Sequence, residues 1–303
     1  MTPNNSRHST VLGTVHVANL DRGAIRYYDT GTGSPVVFVH GFMMNANTWR
    51  KVIPNIAAAG YRCIAPDLPL GAHSIPVPYA DLTPPGVADM LAEFLDQLNL
   101  TDVTLVANDS GGVVTQSLLV RNSARVGRVV LAGVDCYEVF PPARYNWLTK
   151  AIKIPGATRA VTEIIRIRAL QRLPFTFGPA TKRPIPDDVM DSFLLPSRNS
   201  ADVRADLSRF VAQGVSNKFT LEVVPKFASI TQPVLVAWPR EDRLVPAEYG
   251  QRLANDLPNA TLKFIEDSHM LVQEDQPDVF SEMVVEFLQQ HGTKTAEPVS
   301  RSK

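Results

Sequence analysis

The stretch Leu105–Gln116, LVANDSGGVVTQ, decides the fold, because an apolar run stops at Asn108 and small residues lead directly into a segment of helical period. A buried strand that turns sharply into a helix is typical of a parallel sheet with crossover helices. Two neighbouring residues in the turn, Asp109 and Ser110, each carry a side chain that can act as a nucleophile. The register of the turn therefore determines the chemistry as well as the fold.

The rest of the chain repeats this alternation of strand and helix. Helical spacing of apolar residues recurs in VADMLAEFLDQL and VFSEMVVEFLQQ, and short apolar runs predict strands at PVVFVH, YRCIAPD, RVVLAGV, PVLVAW and TLKFIED. Residues 137–217 are rich in Pro and Arg and show helical period without a convincing buried strand. We therefore predict an α/β fold with a core at 1–136 and 218–291, a helical cap at 137–217 and a disordered polar tail at 292–303.

Composition narrows the choice of partners. The chain has 30 Lys and Arg against 30 Asp and Glu, so its net charge of zero gives no general attraction to nucleic acid or to an anionic membrane. We expect a small-molecule substrate and water as partners, with no nucleic acid and no membrane. The sequence shows no apolar leader and no run approaching the roughly 18 apolar residues of a membrane span, which predicts a soluble, cytoplasmic protein.

The two cysteines, Cys63 and Cys136, lie beside or within apolar runs. This placement favours reduced thiols in the core over a disulfide framework or a metal site. We predict neither a metal nor a cofactor.

Several pieces of the chain, taken in order, resemble the α/β-hydrolase superfamily. They are HGF at residues 40–42 after a strand, the strand-to-helix turn, AWPREDRLVP and EDSHML, and the resemblance covers roughly Val36 to Leu288. It implies an α/β-hydrolase fold, a mostly parallel sheet flanked by helices with a helical cap inserted. In this superfamily the nucleophile lies on a strained turn with the pattern small-x-nucleophile-x-small.

The register of that pattern favours Asp109 as the nucleophile. With Asp109 at the turn, the two small positions are filled by Ala107 and Gly111. With Ser110 there, the upstream small position holds Asn108, and the strand must run one residue further. Asp is also a favoured residue at helix N-caps, so a purely structural role for Asp109 is the alternative.

An aspartate nucleophile points to particular substrates. A carboxylate with a pKa of about 3.9 is ionised at neutral pH and needs no base before it attacks. Attack on an ester would give a reactive anhydride, whereas attack on a saturated carbon gives a stable ester. We therefore predict a hydrolase that acts through an aspartyl ester on a small apolar electrophile, an organohalide or an epoxide. The alternatives are a serine esterase or lactonase using Ser110, and a ligand-binding member of the fold with little turnover.

Hydrolysis of an aspartyl ester calls for a base, and histidine has a suitable pKa. The resemblance places this base after the last strand, at His269. It places the acid that orients the base in a turn matched by Trp238, Asp242 and Pro246. Asp135, at the end of the preceding strand, is the alternative acid.

The resemblance also implies an anion hole made by the backbone N–H groups of Phe42 and Ser110. Haloalkane dehalogenases carry Trp directly after the nucleophile, where this chain has Ser110, and epoxide hydrolases use two cap tyrosines, for which only Tyr137 and Tyr145 remain. Stabilisation of the leaving group must then come from elsewhere. Tyr145, Trp147 and the Ser110 hydroxyl are the candidates.

Overall fold

The structure, a computed structural model, describes residues 8–151, 154 and 156–292. An eight-stranded sheet runs through this part of the chain. Its strand order is β1-β2-β4-β3-β5-β6-β7-β8, antiparallel from β1 through β2 to β4 and parallel beyond. The strands are β1 (Thr14–Leu20), β2 (Gly23–Thr30), β3 (Pro35–Val39), β4 (Arg62–Pro66), β5 (Val103–Asp109), β6 (Val126–Val134), β7 (Val234–Pro239) and β8 (Ala260–Ile265). The six parallel-side strands are those predicted from the sequence; β1 and β2 were not predicted.

Helices cover both faces of this sheet. They are α1 (Ile53–Ala58), α2 (Pro84–Gln97), α3 (Gly111–Arg121), α4 (Asn146–Ala151), α5 (Ala157–Ile165), α6 (Arg168–Gln171), α7 (Asp187–Asn199), α8 (Ala201–Arg209), α9 (Asn217–Val223), α10 (Ala247–Asp256), α11 (Val272–Asp275) and α12 (Pro277–His291). A short π-helix, Phe210–Gly214, continues α8. The α/β-hydrolase fold class predicted from the sequence is confirmed.

The core consists of two apolar layers, one on each face of the sheet. Along β3 the residues alternate between them: Val37 and Val39 pack in one layer, Val36 and Phe38 in the other. Burial on both faces explains why the inner strands are continuous apolar runs. Both cysteines lie buried in these layers as free thiols.

The segment between β6 and β7 departs from the strand–helix alternation. Its described residues between 137 and 217 form α4 to α8 and short 3₁₀ and π turns, with no strand. The polar tail predicted to be disordered begins at Gly292, and residues 293–303 lie outside the described part of the chain. Residues of α4 and α5 line a cavity together with Asp109, which lies at the carboxyl end of β5.

Candidate active site

Asp109 occupies the sharp turn between β5 and α3. Its backbone has φ +54°, the left-handed region that a non-glycine residue seldom adopts. Such strain persists only where the surroundings hold it, and it is often found at functional sites. The next residue, Ser110, has ordinary helical angles (φ −65°, ψ −15°) and caps α3. The strained position of the turn thus belongs to Asp109.

Glycines make room for this turn. A Cβ on Gly41 would lie 2.4 Å from Oδ1 of Asp109, and a Cβ on Gly111 would lie 2.4 Å from the carbonyl oxygen of Val39. A Cβ on Gly112 would lie 2.2 Å from the Val134 side chain. The small residues seen in the sequence are therefore required by close packing around Asp109.

Two backbone N–H groups converge on one oxygen of Asp109. The N–H of Phe42 donates to Oδ1 at 3.1 Å, and the N–H of Ser110 donates to the same atom at 2.5 Å. Both donors are those expected of the anion hole. With Oδ1 held in this way, Oδ2 is the oxygen available for attack on a ligand.

The Ser110 hydroxyl is directed elsewhere. Its Oγ donates to Oδ2 of Asp135 at 2.8 Å, and Ser110 is only 5% exposed. Asp135 follows β6, the neighbour of β5, and its backbone N–H donates to the carbonyl of Asp109 at 3.2 Å. Its other carboxylate oxygen, Oδ1, is buried without a partner.

Three carboxyl groups share this end of the sheet, and burial, with a contribution from Asp109, raises the pKa of the other two. Burial raises the pKa of Asp109, which the N–H groups of Ser110 and Phe42 oppose. Burial and then the charge of Asp109 raise the pKa of Asp135 well above its usual range. Burial also raises the pKa of Asp242 to about 7, despite N–H bonds from Leu244 and Val245, and Asp109 adds to the effect.

His269 is buried near the same edge without a hydrogen-bonded ring. Both Nδ1 and Nε2 lack a partner, and so does Oδ2 of Asp242, so the two side chains form no hydrogen bond in this conformation. Burial, and then the positive charge of Arg243, lower the pKa of His269, which keeps the imidazole neutral at neutral pH. Its backbone N–H donates to Asp275 at 3.0 Å, which fixes the loop rather than the ring.

Asp275 joins the loop of His269 to the cap. Its carboxylate also accepts hydrogen bonds from the Thr181 hydroxyl and from the backbone N–H groups of Lys182 and Arg183, all between 2.8 and 3.0 Å. The loop continues to Leu271, whose side chain lines the cavity above Asp109. His269 itself does not line that cavity.

His40, at the start of HGF, holds the neighbouring loop. Its Nε2 accepts the N–H of Leu68 at 2.9 Å, and its Nδ1 lies 2.9 Å from the carbonyl oxygen of Gly41. Burial lowers the pKa of His40 to about 4, so the ring is neutral and makes fixed contacts. These two contacts fix the loop that leads to Phe42, one of the two N–H donors to Asp109.

An apolar cavity, partly open to solvent, lies between residues of the cap and Asp109. Its wall is mostly aliphatic and aromatic, and the described residues that line it include no Lys, Arg or His. Three aromatic residues that line the cavity were not predicted from the sequence: Phe140, Phe175 and Phe177. Only their position within residues 137–217 could have pointed to them.

The predicted pocket residues Tyr145 and Trp147 both line this cavity. The Tyr145 hydroxyl donates to the carbonyl oxygen of Thr176 at 2.7 Å, and the hydroxyls of Thr149 and Thr176 also donate to backbone carbonyls. Of the side-chain donors among the described lining residues, only the indole N–H of the partly exposed Trp147 forms no hydrogen bond within the protein. The other tyrosine named from the sequence, Tyr137, is fully buried and donates to Asp256.

In the described ranges 8–151, 154 and 156–292, no helix is long and apolar enough to cross a bilayer. Nor do the His, Cys, Asp and Glu side chains of those ranges form a group that could hold a metal ion.

Comparison with known proteins gives a consistent family. Residues 34–277 match the family model of the α/β-hydrolase fold. A 2-hydroxy-6-oxononadienedioate/2-hydroxy-6-oxononatrienedioate hydrolase of Cupriavidus pinatubonensis is 30% identical over 271 residues, 86% of this chain and 89% of that protein.

Solved structures of two other enzyme types share the fold. A haloalkane dehalogenase from Bradyrhizobium elkani superposes with a TM-score of 0.75 at 19% identity, covering 91% of this chain and 98% of that one. An epoxide hydrolase superposes with a TM-score of 0.76 at 20% identity, covering 91% and 99%.

Proposed function

The chain belongs to the α/β-hydrolase fold family, and from that premise we propose that it is a hydrolase acting through a covalent ester of Asp109 on a small apolar organohalide or epoxide. One observation carries the proposal: Asp109, not Ser110, has the left-handed backbone of the turn, and its Oδ1 accepts both anion-hole N–H groups. A carboxylate held in this way is a nucleophile for saturated carbon.

In the first half-reaction the two carboxylate oxygens of Asp109 have different roles. Oδ2 attacks the carbon, a C–O bond forms, and the bond from carbon to halogen or to epoxide oxygen breaks with its electron pair. A halide ion leaves, or the epoxide oxygen stays on the ester as an alkoxide and takes a proton from water. Oδ1 becomes the carbonyl oxygen of the ester and stays against the N–H groups of Phe42 and Ser110. When water then attacks the ester carbon, the same two donors stabilise the negative charge that develops on Oδ1.

The second half-reaction needs a base for water, and His269 with Asp242 is the pair we propose. The ring of His269 and the free Oδ2 of Asp242 are buried without partners, which is costly for both groups. A rotation that joins them, with the other ring nitrogen facing water at the ester, would satisfy both. Catalytic hydrogen bonds that are open in the free enzyme often close only with substrate bound.

The cavity favours a small neutral substrate. Its wall is apolar, and Asp109 and Asp135 are the carboxyl side chains that line it, with no Lys, Arg or His among the described lining residues. A substrate with two carboxylates, which the name of the Cupriavidus relative describes, would lie in this cavity without a counter-ion. A haloalkane or an epoxide is neutral and needs no counter-ion.

The second candidate is acyl or carbon–carbon bond hydrolysis by Ser110, which the 30% identity to that relative favours. Against it, the Ser110 hydroxyl donates to Asp135, and no histidine is hydrogen-bonded to it. A serine needs an adjacent base to become nucleophilic. A ligand-binding role is the third candidate. Unlike the two hydrolytic mechanisms, it forms no covalent adduct with the protein.

Intact mass measurement of a His269→Gln variant separates the candidates. The variant is incubated in turn with bromohexane, styrene oxide and nitrophenyl butyrate, with His291→Gln as the matched control that keeps the proposed base. We expect an alkyl adduct on the peptide that carries Asp109, persistent in His269→Gln and absent from the control after turnover.

A single turnover of the unaltered enzyme in heavy-oxygen water gives an independent readout, because the label should enter the Asp109 carboxylate. An acyl adduct on Ser110 would overturn the proposal in favour of the serine mechanism. No adduct and no turnover with any probe would favour ligand binding.

A further inference from the structure

Two large apolar side chains that line the cavity are also exposed to solvent. Trp147 and Phe175 line the cavity, are 38% and 47% exposed, and contact each other edge to face with ring centroids 6.3 Å apart. In the same segment Ile154, Ile164 and Ile167 are 62%, 49% and 54% exposed. Single exposed apolar residues are ordinary, but five within residues 147–175 mark an interaction surface.

Helix α5 shows that this exposure is one-sided. Val161 and Ile165 line the cavity, and Thr158 and Thr162 are buried against the rest of the cap. Ile164 lies on the remaining side and packs against nothing that would cover it. The apolar residues of this helix therefore serve two surfaces, the cavity inside and a second one outside.

The same segment concentrates positive charge. Between residues 143 and 172 the described residues include six Arg or Lys and a single acidic residue, Glu163. Arg166 pairs with Glu163, and Arg168 pairs with Asp187. Within the described ranges no salt bridge involves the remaining four, which are all exposed: Arg144, Lys150, Arg159 and Arg172. Arg172 donates hydrogen bonds to the backbone carbonyls of Thr181 and Lys182 but has no acidic partner.

We propose that this surface binds the face of an anionic lipid bilayer. We call it the rim surface, and it consists of Trp147, Ile154, Ile164, Ile167, Phe175, Arg144, Lys150, Arg159 and Arg172. Apolar side chains that enter the headgroup boundary beside unpaired basic residues are the combination that anionic membranes bind. The net charge of the whole chain is zero, so this local excess of positive charge is not visible in the composition. The proposal does not depend on the chemistry of Asp109.

The charge pattern argues against a second copy of the chain as the occupant. A two-fold interface places the same patch on both sides, so the unpaired basic residues would face one another. A bilayer rich in phosphatidylglycerol supplies the opposite charge and an apolar interior. It would also lie against Trp147 and Phe175, which line the cavity that apolar substrates dissolved in lipid could enter.

Co-flotation with vesicles tests the rim surface. The full chain is mixed with vesicles of phosphatidylcholine and phosphatidylglycerol in equal parts, or of phosphatidylcholine alone. We expect binding to the anionic vesicles only, reduced by added salt. Since each basic residue near such a surface strengthens binding by roughly fivefold, Lys150→Gln with Arg159→Gln should weaken it about 30-fold. Ile164→Ser with Ile167→Ser should weaken it by roughly tenfold or more.

Matched controls remove the same groups elsewhere. Lys218→Gln with Lys226→Gln removes two exposed charges outside the cap, and Val15→Ser with Val17→Ser removes two exposed apolar residues of β1. Both controls should bind as the unaltered protein does. No binding to anionic vesicles, equal binding to phosphatidylcholine alone, or equal loss in the controls would overturn the proposal. So would a dimer in sedimentation velocity that Ile164→Ser with Ile167→Ser dissolves, because the surface would then bind another copy.

Discussion

The hydroxyl of Ser110 donates to Oδ2 of Asp135 at 2.8 Å, directly beside Asp109. This bond commits the hydroxyl to a buried carboxyl group, so it does not reach a leaving group on the far side of a carbon that Asp109 attacks. The sequence suggested two donor roles for Ser110. The geometry is consistent with the backbone N–H as an anion-hole donor and argues against the hydroxyl as a donor to the leaving group.

Replacing Ser110 therefore tests both roles at once. Ser110→Ala keeps the backbone N–H and loses one hydrogen bond to Asp135, which should lower the rate by about two- to twelve-fold. Asp109→Ala should abolish turnover, because it removes the atom that forms the covalent bond. Steady-state rates with any accepted substrate decide the matter. An inactive Ser110→Ala beside an active Asp109→Ala would assign the nucleophile to Ser110.

Gly41 gives a test of the packing around the nucleophile. An added Cβ would lie 2.4 Å from Oδ1 of Asp109, so Gly41→Ala should displace the carboxylate. A shift of about 1 Å in a reacting group can cost on the order of a hundredfold in rate. The measurement is the rate of adduct formation at Asp109 in single-turnover experiments.

Gly60→Ala is the contrasting variant for this experiment. Gly60 has φ +93° and open space around its Cα, so alanine there should lower stability by about 1 to 2 kcal/mol without changing the rate. If Gly41→Ala reacted at the normal rate, Asp109 would not be held as tightly as the structure indicates.

The inner strands could be predicted from the sequence because a parallel strand buried on both faces is a continuous apolar run. β5 shows this most clearly, with every residue from Val103 to Asn108 buried. β1 could not be predicted in the same way. Its first four residues are exposed, since it lies at the edge of the sheet, and no apolar run stands out.

Part of the candidate site was also readable from the sequence. Ala107 and Gly111 favoured Asp109 as the nucleophile, and at Gly111 a Cβ would lie 2.4 Å from the carbonyl oxygen of Val39. The contact between Ser110 and Asp135 was not predicted, because it depends on β5 and β6 being neighbours in the sheet. The orientation of the His269 ring depends on a loop conformation that no local pattern specifies.

Trp147 is expected to stabilise a halide leaving group, since its indole N–H is the unused donor in the cavity wall. Trp147→Phe keeps an aromatic ring against Phe175 but removes that donor. A hydrogen bond to an ionised group is worth about 1.5 to 3 kcal/mol, so alkylation by a haloalkane should slow by roughly ten- to a hundredfold.

Tyr145→Phe is the matched control for Trp147→Phe, because its hydroxyl already donates to the Thr176 carbonyl. It should change the alkylation rate far less. Single-turnover halide release measures both variants. Equal effects of the two substitutions would mean that Trp147 contributes packing rather than a hydrogen bond to the halide.

Asp242 should make stability depend on pH. Burial raises its pKa from 3.8 to about 7, so between these values the folded protein holds a proton that the unfolded chain releases. The free energy of unfolding should then fall as pH rises through this window, and the full cost of the buried charge is present above pH 7.

Asp242→Asn should remove this dependence. Its side-chain oxygen can still accept the N–H groups of Leu244 and Val245, as Oδ1 of Asp242 does at 2.8 and 3.2 Å. At pH 8 we expect the variant to be more stable than the unaltered protein, by at most about 4 kcal/mol, and the difference to shrink towards pH 4. Urea unfolding across this range measures it. A stability difference that is the same at every pH would show that the effect comes from packing and not from ionisation. If the variant still hydrolysed the Asp109 ester, Asp242 would not be the partner of His269.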